Sequence, residues 1–417
     1  MEQHIIDAAV LVGLNADCFR PEETATEQTL DELRQLLETA GGRSVATVLQ
    51  NRPTPDAHSF IGEGKAQEVR ELVESLEANM VIFDNELSPS QIRALEELTG
   101  AVVLDRSALI LDIFAQRAKT AEGRLQVELA QYKYLLPRLS GMGTSLSRLG
   151  GGIGTRGPGE TKLETDRRHI RSRIAKLEEE LDEVRKVRAT QRERRIHNSI
   201  PVVALVGYTN AGKSTLLNCL TGAGIPANNR LFDTLDTTTR RLHVSDTMEA
   251  LLSDTVGFIA KLPHHLVKAF HATLEELQYA DVLVHVIDAA DPHRAEHIDV
   301  VNRLIEQLAG EDVPVIECYN KADLVSPDEI PCKPDAIAIS ASTGAGTDRL
   351  LELIETTLNR SMHHCVFLLP YSQGGAVEQL HSQAQVLRCD YTAEGIEIEV
   401  ICQEMLYGRL RQWLKET

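Results

Sequence analysis

The sequence predicts an α/β protein dominated by parallel sheet, and three observations predict it. Short apolar runs alternate with amphipathic helical patterns along most of the chain, the order of a parallel sheet with crossover helices. Four polar segments each follow such a run, which places them at the carboxyl ends of strands, where an open α/β sheet takes its ligand. One Gly-rich interval lies between two long helical patterns, so a helical hairpin interrupts the sheet-forming regions.

At ~100–200 residues per domain, 417 residues suggest several units. We read an N-terminal α/β domain (1–116), a basic helical hairpin with a Gly-rich tip (117–199, tip 140–160), a nucleotide-binding α/β domain (200–358) and a small C-terminal α/β domain (359–417). In the first, strands are expected at Ala8–Gly13, Val45–Leu49, Met80–Phe83 and Val102–Leu104, alternating with helices at Glu27–Thr39, Glu63–Glu77 and Pro89–Leu98. The segment Ile61-Gly62-Glu63-Gly64-Lys65 resembles a phosphate loop, but Ser59 stands at its first glycine and Ala66 at its Ser/Thr. A tight turn into a helix is expected there rather than an ATP site.

In the hairpin, Leu125, Leu129, Tyr132, Leu136 and Leu139 recur at helical spacing, as do Ile170, Ile174, Leu177, Leu181 and Val184. Two helices pair along those seams. The interval between them carries eight glycines from Gly141 to Gly159 and cannot hold a regular element. The chain has a formal net charge of −19, yet Lys133–Ile200 holds 16 Lys and Arg against 9 Asp and Glu. From Lys133 to Gly159 there are four basic residues, Lys133, Arg138, Arg148 and Arg156, and no acid. Glycine permits close backbone approach and arginine forks onto phosphate, so Arg148 and Arg156 are candidate RNA contacts. No aromatic residue interleaves the loop, which argues against base stacking on single strands.

The third domain carries the chemistry. After the apolar run Pro201–Val206, GYTNAGKS opens a helix; Gly207, Tyr208, Thr209, Asn210, Ala211 and Gly212 would wrap phosphate with backbone N–H groups, continuing into Thr215. Lys213 would reach the β and γ oxygens, and the Ser214 hydroxyl would ligate Mg²⁺. Asp254 ends the run Ala250–Ser253 and opens Asp254-Thr255-Val256-Gly257, with Asp254 set toward the same Mg²⁺ and Gly257 toward the γ-phosphate. Asn320, Lys321, Ala322 and Asp323 follow the run Val313–Tyr319, and Ser340, Ala341 and Ser342 lie beyond. A carboxylate there pairs with guanine N1–H and its amine, which adenine lacks, discriminating by about 10⁴ or more. The four segments together specify a guanine-nucleotide switch with Mg²⁺ as cofactor. Phe258 stands where many such switches place the glutamine that orients water, so the catalytic group stays unknown and intrinsic hydrolysis should be slow. A threonine of the first switch lies within LFDTLDTTTR, where Thr234, Thr237, Thr238 and Thr239 all qualify.

The tail combines a strand-like CVFLLP, a helical stretch around Val377–Val386 and a strand-like GIEIEVIC. Seven cysteines without CxxC pairing read as reduced core residues, and the pairs His264-His265 and His363-His364 lack zinc spacing. No leader opens the chain and no apolar run approaches the ~18 residues of a membrane span, so a cytoplasmic protein without a transmembrane segment is expected.

The stretches GYTNAGKSTL, DTVGFIAKLPHHLV, LILDIFAQRAKTAEGRLQVELAQ and GGIGTRGPGETKLETDRR resemble the HflX-type GTPases, from the first domain through the third and more weakly in the tail. The resemblance implies a GTPase, stimulated by ribosomes, that binds the large ribosomal subunit and ribosomal RNA but not DNA, is monomeric when free, and splits stalled ribosomes. It aligns the family's FxTLD motif on Phe232, Asp233, Thr234, Leu235 and Asp236, making Thr234 the second Mg²⁺ ligand beside Ser214. Asp233 and Thr237 depart from that family's pattern. Three rival readings are a GTPase of subunit assembly, an ATP-dependent RNA-remodelling enzyme with a regulatory GTPase domain, and a switch that binds only proteins.

Overall fold

The computed structural model describes residues 7–20, 23–139, 162–197, 200–224, 231–232, 238–245, 248–261, 277–309, 313–360 and 362–415. The chain forms two compact units. One comprises Met1–Asp182, Asn228–Asp236 and Phe258–Ala272, and the other Glu183–Ala227, Thr237–Gly257 and Thr273–Thr417.

The first unit is built on a four-stranded parallel sheet in the order β2-β1-β3-β4: β1 Ala8–Ala16, β2 Arg43–Arg52, β3 Met80–Phe83 and β4 Val102–Asp105. β1 lies inside the sheet and reads AAVLVGLNA, the continuous apolar run expected of a strand buried on both faces. The crossover helices are α1 Glu27–Ala40, α2 Glu63–Ser75 and α3 Pro89–Thr99. Thr26 and Ser88 cap α1 and α3 with reciprocal hydrogen bonds to Thr29 and Gln91, satisfying N–H groups that a helix start leaves open. Lys65 pairs with Glu68 one turn along α2 at 2.7 Å, so the segment read as a tight turn into a helix is one.

Helix α4, Arg106–Arg117, follows β4 directly and is capped by Asp105. A buried ionic cluster forms at its start. Arg106 donates to Asp84 at 2.8 Å, to Glu32, and to the carbonyl of Ala260 at 3.0 Å. Asp84 also accepts from Lys261 and, at 2.7 Å, from Thr29. Burial pushes the Asp84 carboxyl up, but Arg106 and Lys261 together hold it below the usual carboxylate range. Farther along α4, Phe114 meets Phe232 edge to face with ring centroids 4.7 Å apart. The backbones of Phe232 and Lys261 are both left-handed, φ 56° and 55°, a strained state that surrounding contacts must hold.

The hairpin pairs as its seams require. Leu125, Leu129 and Tyr132 of α5 (Ala121–Arg138) pack on Ile174, Leu177 and Leu181 of α6 (Lys162–His197). Arg173 clasps Glu128 at 2.8 and 2.9 Å. Two of the four basic residues counted above are already neutralised: Lys133 pairs with Glu178 at 2.7 Å and Arg138 with the buried Asp105 at 2.9 Å. Arg138 lies over the Tyr134 ring, whose hydroxyl also donates to Asp105. The tip, with Arg148 and Arg156, lies outside the described residues.

The second unit holds a six-stranded sheet in the order β10-β9-β8-β5-β7-β6: β5 Val202–Val206, β6 Thr238–Ser245, β7 Met248–Asp254, β8 Val282–Asp288, β9 Val315–Asn320 and β10 Ala336–Ala338. All pairings are parallel except β6 on β7. Thr238 and Thr239, two of the threonines read as candidates within a loop, belong to β6 opposite Asp254 and Ser253. Of β6 only Leu242 and Val244 are buried, too short an alternation to reveal an edge strand from sequence. Helices α7 Lys213–Thr221, α8 Arg294–Leu308 and α9 Thr347–Arg360 complete this layer.

The tail is a three-stranded antiparallel sheet, β11 Met362–Leu369, β13 Ile396–Gln403 and β12 Gln385–Tyr391, with β13 central. Helices α10 Gly374–Gln383 and α11 Glu404–Leu410 supply Leu380, Leu406 and Leu410 to its core. The helical stretch expected through Val386 stops at Gln383, because the polar edge strand β12 begins there. Cys318 and Cys402 are buried as expected, whereas Cys18, Cys219 and Cys332 are exposed. Among the described residues no helix is long and apolar enough to cross a membrane.

Candidate functional site

The site is assembled at the carboxyl ends of β5, β7, β8, β9 and β10, within the second unit. β5 delivers the chain to Gly207, whose φ is +153° and where a Cβ would lie 2.2 Å from the Val286 carbonyl. No other residue fits that approach. At Gly212 φ is +96°, and a Cβ would lie 2.2 Å from Asn320 Nδ2. Between them the loop turns through Asn210 at φ 63° and opens α7, whose first N–H groups form an anion-binding terminus.

Lys213 folds back under this loop. Its ammonium donates to the carbonyls of Gly207 and Tyr208 at 2.9 and 2.8 Å. Burial pushes it down to about 8, opposed by the carboxylate of Asp254. Ser214 Oγ donates to Asp254 Oδ2 at 2.7 Å, bringing the two expected Mg²⁺-side groups together. Thr255 is buried and donates to the Leu205 carbonyl at 2.7 Å. A Cβ at Gly257 would lie 2.8 Å from Thr209 Cγ2 and 3.1 Å from Lys213 Nζ, so the DTVG glycine lies against the phosphate loop. Phe258 is 1% exposed. Phe232 is described, while Asp233, Thr234, Leu235 and Asp236 lie outside the described residues.

On the base side, Asn320 is buried and joins two loops. Its Nδ2 donates to the Ala211 carbonyl at 2.8 Å, and its Oδ1 accepts from Ala341 N–H at 2.9 Å. Lys321, left-handed at φ 61°, pairs with Asp288 at 2.6 Å. Ala322 N–H donates to the Ile339 carbonyl at 3.0 Å, and Asp323 is exposed. Ser340 and Ser342 share a hydrogen bond at 3.0 Å. The described segments predicted from spacing alone therefore converge on one end of one sheet.

Three groups were missed from the sequence. Asp288 ends the apolar strand VLVHVID much as Asp254 ends its own, a signal open to reading. His285 is 2% exposed, and burial pushes it down to about 4. His297 of α8 stacks on Tyr208 at 3.7 Å, a pairing that no local spacing encodes.

Comparison with known proteins agrees with this geometry. Family models described as GTP-binding GTPase N-terminal, GTP-binding GTPase Middle Region and 50S ribosome-binding GTPase match residues 27–115, 117–195 and 202–321. The chain is 48% identical over 411 residues to GTPase HflX of Caldanaerobacter subterraneus subsp. tengcongensis, covering 98% of this chain and 94% of the relative. It is 51% identical over 426 residues to GTPase HflX of Alkalihalophilus pseudofirmus, covering 100% and 99%. A crystal structure of SsGBP with GDP is similar at a TM-score of 0.49 and 24% identity, covering 85% of this chain and 99% of that one. The chain binds and hydrolyses GTP, and it belongs to the HflX GTPase family.

Proposed function

We propose that this GTPase associates with the large ribosomal subunit and splits stalled ribosomes in the cytoplasm, with GTP hydrolysis ending each encounter. What carries the reading is the paired hairpin of α5 and α6 together with the basic Gly-rich segment 140–160 that lies between them in sequence. The match of residues 202–321 to a family described as 50S ribosome-binding GTPase supports it. Arg148 and Arg156 are the proposed contacts to ribosomal RNA, because Lys133 and Arg138 are engaged within the hairpin and its base.

At the nucleotide, residues 207–215 would wrap the phosphates and Lys213 would exchange its two carbonyl partners for phosphate oxygens. Asn320 would hold the phosphate loop to the base-side loop, Asp323 would read guanine, and Ala341 and Ser342 would border it. The hydroxyl of Ser214 beside the Asp254 carboxylate is a hard-oxygen pair suited to Mg²⁺. Mg²⁺ takes most of its oxygens from phosphate and water. Ser214 and Thr234 would be its protein ligands, and it would neutralise charge developing on the phosphates.

GTP turnover measured with and without purified large subunits tests the reading, beside a variant shortened between Ser140 and Gly159. Strong stimulation that the shortened tip weakens is expected. Turnover of the unaltered protein that large subunits leave unchanged sinks the coupling. Subunit release from intact ribosomes, followed on sucrose gradients, separates splitting from a role in subunit assembly.

A further inference from the structure

The phosphate loop rests on a ring stack that none of its sequence motifs includes. Tyr208 lies 3.7 Å from His297, their planes 9° apart, and Tyr208 is 8% exposed. His297 in turn pairs through Nδ1 with Asp291 at 3.2 Å, and Asp291 also accepts from His293 N–H at 2.8 Å. Hydrogen bonding from His297 draws the Asp291 carboxyl below its ordinary range. The imidazole is therefore fixed from behind before it meets the tyrosine.

Behind Thr209 lies a cavity of about 20 Å³ whose lining includes Tyr208, Thr209, His285 and His297. Two buried polar atoms there, His285 Nδ1 and Thr209 Oγ1, have no hydrogen-bond partner. The loop floor is thus open and polar at Thr209 and closed by the stack at Tyr208. The Tyr208 carbonyl is also one of the two that Lys213 holds. When Lys213 turns toward phosphate, the Tyr208 carbonyl keeps the Ala211 N–H at 3.3 Å, and the ring stack is a further hold on the strand-to-loop corner.

We propose that His297, oriented by Asp291, is a positioning residue for GTP: through its stack on Tyr208 it holds the phosphate loop ready for the nucleotide. The contribution is to binding, because the stack touches the loop and none of the reacting atoms. An aromatic pair of this kind corresponds to about threefold to tenfold in affinity.

The test uses the full-length protein and three substitutions, His297→Ala, His297→Leu and His297→Phe, with a fluorescent GDP analogue for affinity and steady-state turnover for KM and kcat. Circular dichroism first establishes that each variant is folded. Ala is expected to weaken GDP binding and raise the KM for GTP by about threefold to tenfold with kcat within about twofold. Leu, which restores bulk without a flat ring, should resemble Ala, whereas Phe, which keeps the ring but not the Asp291 pair, should recover part of the loss. Unchanged binding in the Ala variant overturns the proposal, as do equal losses in Leu and Phe, or a fall in kcat at constant KM.

Discussion

Asn320 Nδ2 donates to the carbonyl of Ala211 at 2.8 Å, which makes the NKAD segment a strut for the loop between Gly207 and Lys213. The same amide accepts from Ala341, so one side chain spans three of the four motifs. Asn320→Ala leaves a buried carbonyl and a buried N–H unpaired, at about 1–3 kcal/mol each. It should lower the melting temperature of the nucleotide-free protein and also abolish most of the further stabilisation given by GDP. Melting curves with and without saturating GDP measure both.

Lys213 sets the pH dependence of nucleotide binding. Burial holds it near 8 in the free site, while an anionic phosphate favours the charged form, so the complex binds more protons than the free protein. Linkage then requires affinity to fall as pH rises above about 8. Titration with a fluorescent GDP analogue from pH 7 to 9.5 should show weakening of at most tenfold per pH unit. A flat profile shows that Lys213 stays charged in the free site over this range.

Asp84 holds two buried cations, Arg106 and Lys261. Its lowered carboxyl contributes stability that is present above the unfolded value near ~4 and is lost as pH falls through the lower folded value. Asp84→Leu removes the carboxylate that Arg106 and Lys261 share, leaving Glu32 to Arg106, and should destabilise the first unit by about 3 kcal/mol. Denaturant unfolding at pH 7 checks the magnitude, and the difference from the unaltered protein should shrink in acid.

Phe258 fills the position after the DTVG glycine and is buried. Phe258→Gln should not produce a faster enzyme: it places an amide in an apolar setting, at about 1–3 kcal/mol if unpaired. A lower melting temperature with basal turnover no higher than that of the unaltered protein is the expected pair of results.

The hairpin separates packing from surface charge. Leu177 is 0% exposed between the helices, and Leu177→Ala should cost about 2–5 kcal/mol. Arg173→Ala breaks a partly exposed pair with Glu128 and should cost far less than Leu177→Ala. Thermal unfolding of the two variants compares them directly.

The parts legible in the sequence are those with strong local signals. β1 and β3 are unbroken apolar runs, α1 and α3 carry capping residues, and the Leu129 and Leu177 seams repeat at helical spacing, so each appears close to its expected bounds. The strands β6 and β12 escaped because each offers only two apolar side chains to a core, Leu242 and Val244 in one and Val386 and Cys389 in the other, too few to mark a strand. In the site, the glycines and Asn320 could be found because loop geometry demands those residue types at fixed offsets. The stack of Tyr208 on His297 spans 89 positions of sequence (208 to 297) and depends on where α8 lands. The same holds for Asp84 and Lys261, whose burial rests on pairing across 177 residues.

Phe232 and Lys261 carry a consequence for anyone who dissects this chain. Both lie beyond residue 200, yet both belong to the first unit, one on the Phe114 ring and the other on Asp84. A fragment that stops at residue 199 keeps every strand of the first sheet but exposes Phe114 and removes one cation from Asp84. Such a fragment is a mutilated unit, and its solubility or activity would report the cut as much as the domain. A faithful excision would have to restore the missing peptides, as a graft or as separate strands added in trans.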